Sequence, residues 1–236
     1  KVIGCDLWSD EPGFAAGVGS MGVTGVCGSG IIEVLAEMYL AGIVDADGSI
    51  DGSLSSRSPR IVPDGRTFSY VLHDGGVSLR ITQNDVRAVQ LAKAALYAGV
   101  RLLMDRMRVE KVDRVRLAGA FGSHIDVKYA MVLGMVPDCD LEHVTSAGNA
   151  AGTGARITLL DQKARGEIED VVRQIEKVET AVEPRFQEHF VEAMAIPHKT
   201  AAFPMLSRVV ELPDRIPAAS ATSTATRPRR RRRESR

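Results

Sequence analysis

Apolar positions along the chain change their period several times, and each change marks an element. From Thr24 to Ile43, the residues Ile32, Leu35, Ala36, Met38, Tyr39 and Ile43 recur at helical spacing, with Ser29 placed to cap the first turn. Ile61-Val62 and Thr67 to Leu72 alternate around Asp64-Gly65, which predicts a β-hairpin, and Val77 to Ile81 adds a short strand. Thr82 to Met107 carries the longest helical pattern. Thr82 and Asp85 have capping-box spacing, and Val86, Val89, Leu96, Val100, Leu103 and Met107 define the face expected to meet the core. Gln83, Asn84, Gln90 and Lys93 lie off that face and read as solvated. Val112, Val115, Leu117 and Ala118 then predict a short buried strand running into Gly119 and Gly122, followed by a helix over Val127 to Leu133. Lys163 to Glu179, with Ile168, Val171, Val172, Ile175 and Val178 inward, and Pro184 to Met194 predict two more helices. Ahead of all these, KVIGCDL looks like a strand and Trp8 to Val23 like an exposed glycine-rich loop.

Composition narrows the classes. With 236 residues and 44% hydrophobic content the chain can bury a sizeable core. Its 30 basic and 30 acidic residues cancel, but Arg227 to Arg236 holds seven arginines against one glutamate, so the remainder is mildly acidic. From Pro213 onward Pro, Ala, Ser, Thr and Arg dominate and cannot bury enough surface to order themselves. The folded domain is therefore expected over residues 1–212, with a disordered tail over 213–236. That tail is basic but has no interleaved aromatic residues, so nucleic acid is not the expected partner. No apolar run reaches the roughly 20 residues that cross a bilayer, and no signal-peptide layout opens the chain. A cytoplasmic location without a membrane partner is the expectation. The start at Lys1, without an initiator Met, suggests a piece of something longer. Cys5, Cys27 and Cys139 are too few and too far apart for a disulfide framework or a Cys-x-x-Cys site, and each reads as a small buried residue. His73, His124, His143, His189 and His198 lack ligand spacing, so no metal site is predicted; His124 stands out only for its place beside Asp126, just past Gly122.

The candidate chemistry lies in two small-residue loops. VDRVRLAGAFGSHID, Val112 to Asp126, reads as strand, glycine turn and helix, and VTSAGNAAGTGARITLL, Val144 to Leu160, repeats the plan. Glycines let a ligand approach backbone, and bare amides at a helix start attract anions. Neither loop has the Gly-Lys-Ser/Thr ending of a phosphate loop or the Gly-x-Gly-x-x-Gly fingerprint. Spacing alone leaves the ligand open, and close helix-on-sheet packing explains the glycines equally well. Gly25, Gly28 and Gly30 carry the same two readings, with packing favoured.

Four blocks in order, TGVCGSGIIEVLAEMYLAGI, ITQNDVRAVQLAKAALYAG, LAGAFGSHIDVKYAMVLGMVPD and VTSAGNAAGTGARITLL, resemble the C-terminal half of the reductive activators of corrinoid proteins. KVETAVEPRFQEHFVEAMAIPH is similar to the end of that family, so the resemblance runs from about Val23 to His198. It implies an α/β fold: an actin- and sugar-kinase-like lobe of a two-lobed clamp, with a five-stranded-type mixed sheet flanked by helices and a small β-hairpin insertion at Ile61 to Ile81. It also implies a parent protein with an N-terminal [2Fe-2S] domain, which uses ATP with Mg²⁺ to return a Co(II) corrinoid protein of a methyltransferase system to Co(I). By that resemblance Gly119, Ala120, Phe121 and Gly122 are the adenosine motif. Ser146, Gly148 and Asn149 belong to the segment joining the lobes, and Gln90 and Lys93 sit on a helix that borders the adenine in relatives. The family's phosphate-binding segments, an Asp followed by Gly and Ser, Thr or Asn, and its cysteine cluster are absent from these 236 residues. The chain alone is therefore expected neither to hydrolyse ATP nor to carry an electron. A homodimer is left open, as are two other functions: a kinase-like phosphotransferase and a non-catalytic module that grips a corrinoid protein.

Overall fold

The structure is a computed structural model that describes residues 2–7, 11–19, 22–119, 122 and 124–213. Its long axis is α3 (Gln83–Met107), 25 residues opened by the expected capping box: Asp85 N donates to Thr82 Oγ1 at 3.2 Å, and Thr82 N donates to Asp85 Oδ2 at 2.8 Å. α7 (Pro184–Ala193) lies along α3. Asp105 of α3 accepts from Arg185 at 2.8 Å and from His189 at 2.7 Å of α7, and from Arg101 of its own helix at 3.2 Å.

This pairing overturns the later part of the expected inner face of α3, whereas Val86 is buried and Val89 packs against the core as expected. Leu96, Leu103 and Met107 are 48%, 52% and 73% exposed, while Gln90, Lys93, Ala94, Tyr97 and Ala98 are buried. Two features explain the reversal. Ala94 and Ala98 let α7 approach closely, and the polar ends of Gln90 and Lys93 find backbone carbonyls on the segment after α7, so their burial leaves few unpaired groups. Gln83 is also engaged rather than solvated, donating to Gly48 O at 2.6 Å and accepting from Ile50 N at 3.0 Å; Asn84 is exposed as expected.

α2 (Gly28–Leu40) and α4 (Val127–Val132) pack together and carry the middle of the core: Ile32, Leu35, Ala36, Met38 and Tyr39 meet Met131, Val132, Leu133, Ile196 and Leu206. Cys27, not Ser29, is the N-cap of α2. Asp138 anchors the C-terminal turn to this core by accepting from Met205 N at 2.9 Å and Leu206 N at 3.0 Å. The insertion is a three-stranded antiparallel sheet, β1 (Ile61–Asp64), β2 (Thr67–Asp74) and β3 (Ser78–Ile81), in the order β1-β2-β3. Gly65, at φ +60°, makes the tight turn between the first two strands, as the Asp-Gly pair predicts. Ile61 and Ile81 face the core on either side of Tyr70, and Ser69, buried on the opposite face, donates to Asp64 Oδ2. β4 (Val115–Ala118) and β5 (Val144–Gly148) form a separate two-stranded parallel sheet. The α/β class holds, with the five described strands divided between two sheets.

Three expectations fail at the edges. In place of the expected strand, Val2 to Leu7 make only a turn closed by Cys5 N on Val2 O at 2.9 Å, and a short helix, α1 (Phe14–Gly19), stands inside the expected loop. α5 (Ala150–Leu160) has no buried residue and α6 (Gln162–Gln174) only Ala164, so Ile168, Val171, Val172 and Ile175 do not face the core of this chain. α6 also stops before Ile175, whose backbone is extended at ψ 121°. Of the expected tail over 213–236, residues 214–236 lie outside the described residues. Among the described residues no helix is long and apolar enough to cross a membrane.

Two glycines give a test of this packing. Gly134 sits at φ +72° with the Pro197 carbonyl where a Cβ would go, whereas Gly99, within α3, has open space there. Gly134→Ala is expected to lower the urea midpoint by a clash that the backbone cannot relieve, and Gly99→Ala to raise stability by up to about 1 kcal/mol. Equal effects of the two substitutions would contradict the described packing around Pro197.

Candidate functional site

The parallel pairing of β4 and β5 brings the two glycine loops side by side. The register runs Val115↔Val144, Arg116↔Thr145 and Leu117↔Ser146, then shifts so that Ala118 meets Gly148. Past that irregularity Gly119 N donates to Gly148 O at 2.8 Å, joining the loops directly. Both glycines have left-handed backbone, φ +108° at Gly119 and φ +60° at Gly148. Among the described residues no heavy atom lies within 4 Å of where either Cβ would stand, so turn geometry rather than crowding demands glycine at both places. Gly122 is different: a Cβ there would lie 3.0 Å from Leu117 Cβ, so it is needed for close return of the chain over β4. Both turns leave the carboxyl ends of parallel strands, where α/β sheets bind ligands.

α5 begins at the second loop. Asn149 is its N-cap, with Oδ1 accepting from Gly152 N at 2.9 Å, and a Cβ on Gly152 would strike the Asn149 carboxamide. Ser146 Oγ accepts from Gly148 N at 3.1 Å and holds the turn that precedes the cap. Gly119, Gly122, Ser146, Gly148 and Asn149 thus form one cluster of small side chains and backbone groups at one end of the sheet. It suits the binding of a flat or anionic group against backbone. Ala120 and Phe121 belong to the same motif and lie outside the described residues. His124, exposed in the turn before α4, is followed by Asp126, which caps that helix by accepting from Tyr129 N at 3.3 Å.

Gln90 and Lys93 are placed elsewhere. Gln90 Nε2 donates to Asp47 O at 3.0 Å and Met194 O at 2.9 Å, and its Oε1 is buried without a hydrogen-bond partner. Lys93 Nζ donates to Pro197 O at 2.8 Å and to Ala195 O. Burial lowers the Lys93 ammonium to about 7. As the chain stands, these two side chains clasp residues 194–197 to α3, and a ligand could reach their polar ends only by displacing that segment.

One reactive group escaped sequence reasoning. Cys27, expected to be buried, is exposed at the start of α2 while Cys5 and Cys139 are buried. Its Sγ lies 3.5 Å from Ser29 Oγ and accepts from Gly30 N at 3.3 Å; these bonds lower its pKa, Ser29 most. The capping spacing, three residues from Cys27 to Gly30, was available in the sequence, but cysteine is not among the usual capping residues. Among the described residues no group of three or more His, Cys, Asp or Glu is placed to hold a metal ion.

The chain is similar to known proteins. A family model described as the C-terminal domain of RACo, the ASKHA domain, matches residues 2–207. Over 186 residues the chain is 34% identical to the corrinoid activation enzyme RamQ of Eubacterium limosum, covering 74% of this chain and 31% of RamQ. A solved structure of a reductive activator for corrinoid, iron-sulfur protein superposes with a TM-score of 0.66 at 35% identity, covering 74% of this chain and 28% of that one. The chain spans less than a third of the length of each of these relatives.

Two measurements probe the side chains just described. Unfolded chains hold a lysine proton to about pH 10.4, whereas Lys93 releases its proton near 7 in the fold. Between those values the unfolded state binds more protons, so stability rises with pH, by at most roughly 1.4 kcal/mol per pH unit from this group. Below pH 7 the penalty of the buried charge is fully present. Urea midpoints at pH 7 and pH 9 should therefore differ in the unaltered chain and lose that increment in Lys93→Met; an unchanged increment would remove Lys93 as its source. Iodoacetamide followed by peptide mass spectrometry should label Cys27 well before Cys5 and Cys139, with Ser29→Ala slowing it at pH 7.

Proposed function

The chain belongs to the family of the RACo C-terminal, ASKHA domain, and from that premise we propose that it is the nucleotide-responsive part of an ATP-dependent reductive activator of a corrinoid protein. The observation that carries this reading is the bond between Gly119 and Gly148, which sets two glycine turns together at the carboxyl ends of β4 and β5. Adenosine can lie against backbone only where side chains are absent or short. Gly119, Gly122 and Gly148 meet that need, and Ser146 and Asn149 hold the second turn in shape. Ala120 and Phe121 complete the motif in this reading. In this reading Gln90 and Lys93 act through the clasp that holds residues 194–197 to α3 rather than as nucleotide contacts.

In this reading the parent protein's [2Fe-2S] centre would supply the one electron needed to take Co(II) to Co(I), and ATP with Mg²⁺ would supply the driving force. Neither the cluster nor the magnesium ion is assigned to residues of this chain; in this reading both are held by polypeptide outside it. The contribution of the chain is to bind the adenosine end, exclude water from it and convert its presence into a change of lobe position. A ligand moves such an equilibrium only through different affinity for the two positions. The partner is a corrinoid protein of a methyltransferase system, met in the cytoplasm, and the parent protein can act as a homodimer.

In the parent protein, Gly119→Val and Gly148→Val are expected to weaken ATP binding about tenfold or more, roughly 1.4 kcal/mol, because neither turn tolerates a β-branched residue at positive φ. Iron content and the visible spectrum should stay unchanged. Calorimetric ATP affinity within error of the unaltered protein would overturn the assignment of these turns.

A further inference from the structure

The small sheet and α1 wall a trench of about 1080 Å³ that stays open to solvent. Val62, Val71 and Arg80 are next in sequence to Ile61, Tyr70 and Ile81, which turn to the core, so they point the opposite way, into the trench. Phe14 and Val18 of α1 form the facing wall. The lining is mostly apolar and carries one charged feature. Val71 N donates at 2.8 Å to the carbonyl of Arg60, just before β1, and Val71 pairs with Arg80 of β3. Two arginines thus flank Val71 in one row across the sheet, their backbones two strand spacings, about 9.6 Å, apart.

These arginines differ from most others in the fold. At the β-bulge after Val71, Arg60 Nη1 donates to Val71 O at 3.0 Å and to Leu72 O at 2.9 Å. Those bonds fix the guanidinium, and among the described residues its Nε and Nη2 have no hydrogen-bond partner. Arg80 Nε donates to Ser78 Oγ at 3.3 Å. Among the described residues neither arginine forms a salt bridge, even with Asp74 of the same trench, whereas Arg101, Arg106, Arg173 and Arg185 all pair with acids. Two unpaired like charges on one sheet face repel each other, and an anion between them would relieve the repulsion.

We propose that this trench docks an extended segment of a partner protein that carries two carboxylates three residues apart with apolar side chains between them. The spacing follows from the row of arginines, since an extended chain advances about 3.3 Å per residue and covers about 10 Å in three. The apolar walls suit the intervening side chains. A small organic anion fits less well, because small-molecule sites enclose most of their ligand and this trench is open. Outside the arginine-rich tail the chain is mildly acidic, so such a segment is repelled over most of the surface and drawn to this row. The inference is independent of the nucleotide reading.

The test is fluorescence anisotropy on the parent protein, without nucleotide, with a labelled peptide built around Glu-Leu-Val-Glu. Its Lys-Leu-Val-Lys counterpart and tripolyphosphate serve as the other two probes. The glutamate peptide should bind, and Arg80→Glu should weaken it roughly tenfold or more. Arg87→Glu, an exposed charge on α3 away from the trench, should change it by less than about twofold. Arg60 is left in place because it also holds the bulge. The basic tail attracts acids too, so binding must persist when the seven arginines of 227–236 are replaced by serine. No binding, equal binding of the lysine peptide, or indifference to Arg80→Glu overturns the inference, as does binding that vanishes with the tail arginines. Tripolyphosphate that binds as tightly as the peptide reduces the trench to a small-anion site and overturns it as well. Gly119→Val, which should weaken ATP binding, should leave peptide affinity unchanged, so failure of the functional reading and failure of this one are told apart.

Discussion

The segment Met194 to His198 is held from three sides, and the rest of the fold depends on that grip. Lys93 donates to Pro197 O and Ala195 O, Gln90 donates to Met194 O and Asp47 O, and Ile196 N donates to Ala46 O at 2.8 Å. Gly134, at the end of α4, takes up the remaining approach to the Pro197 carbonyl. A lysine would not be buried for its own sake, since removing an ammonium from water costs more than its stem returns. It is buried because the segment presents two carbonyls that would otherwise lack partners there. The same contacts tie the 45–48 turn, α3, α4 and the end of α7 into one body, with Tyr97 against the His198 ring at 4.8 Å between centroids.

That body ends abruptly at the β4–β5 sheet. Val144 at the start of β5 is buried, but Thr145, Ser146 and Ala147 are exposed, and α5 beyond has no buried residue. The glycine turns therefore stand on the margin between a packed region and an uncovered one. Such a margin suits a hinge, because small residues with positive φ set the direction in which the chain leaves the sheet while few side chains oppose movement. The clasp on α3 lies on the packed side of that margin. This division gives Gly119 and Gly148 a place where a ligand can matter, and gives Gln90 and Lys93 a role in keeping the floor rigid.

Legibility in the sequence followed the physics of each element. The capping box at Thr82 and Asp85, the Asp-Gly turn and the glycines ending β4 and β5 were readable because each depends on a few neighbouring residues. The inner face of α3 was readable at Val86 and Val89 but not beyond, since there it was decided by a partner about a hundred positions away that supplied carbonyls to a glutamine and a lysine. Hydropathy ranked Leu96, Leu103 and Met107 above Gln90 and Lys93, and the structure reversed the order. The capping role of Cys27 was missed for a smaller reason, the weak acceptor strength of sulfur, which leaves cysteine outside the usual capping set. The motif residues were named by resemblance; the meeting of the two loops through the Gly119–Gly148 bond depended on a register shift that no local pattern encodes.

The expected inward face of α6 was correct in one sense and incorrect in another. Ile168, Val171 and Val172 do lie on one side of the helix, as their spacing requires, yet that side meets no core among the described residues, and Ile175 falls beyond the helix end. Periodicity reports that a face is apolar and says nothing about which polypeptide will cover it. The exposed apolar residues of α3 obey the same logic, since Leu96, Leu103 and Met107 recur at helical spacing on the side away from α7. A sequence pattern that looks wrong against one part of a protein can thus be a faithful description of its contact with another. The arginine pairs near α6 fit this view: Arg106 of α3 reaches both Glu176 and Glu183, holding the two ends of the 175–183 connection to the helix without covering the apolar side. Exposed pairs of this kind orient a segment but contribute little to stability, so they do not replace the burial of an apolar face that stabilises most helices.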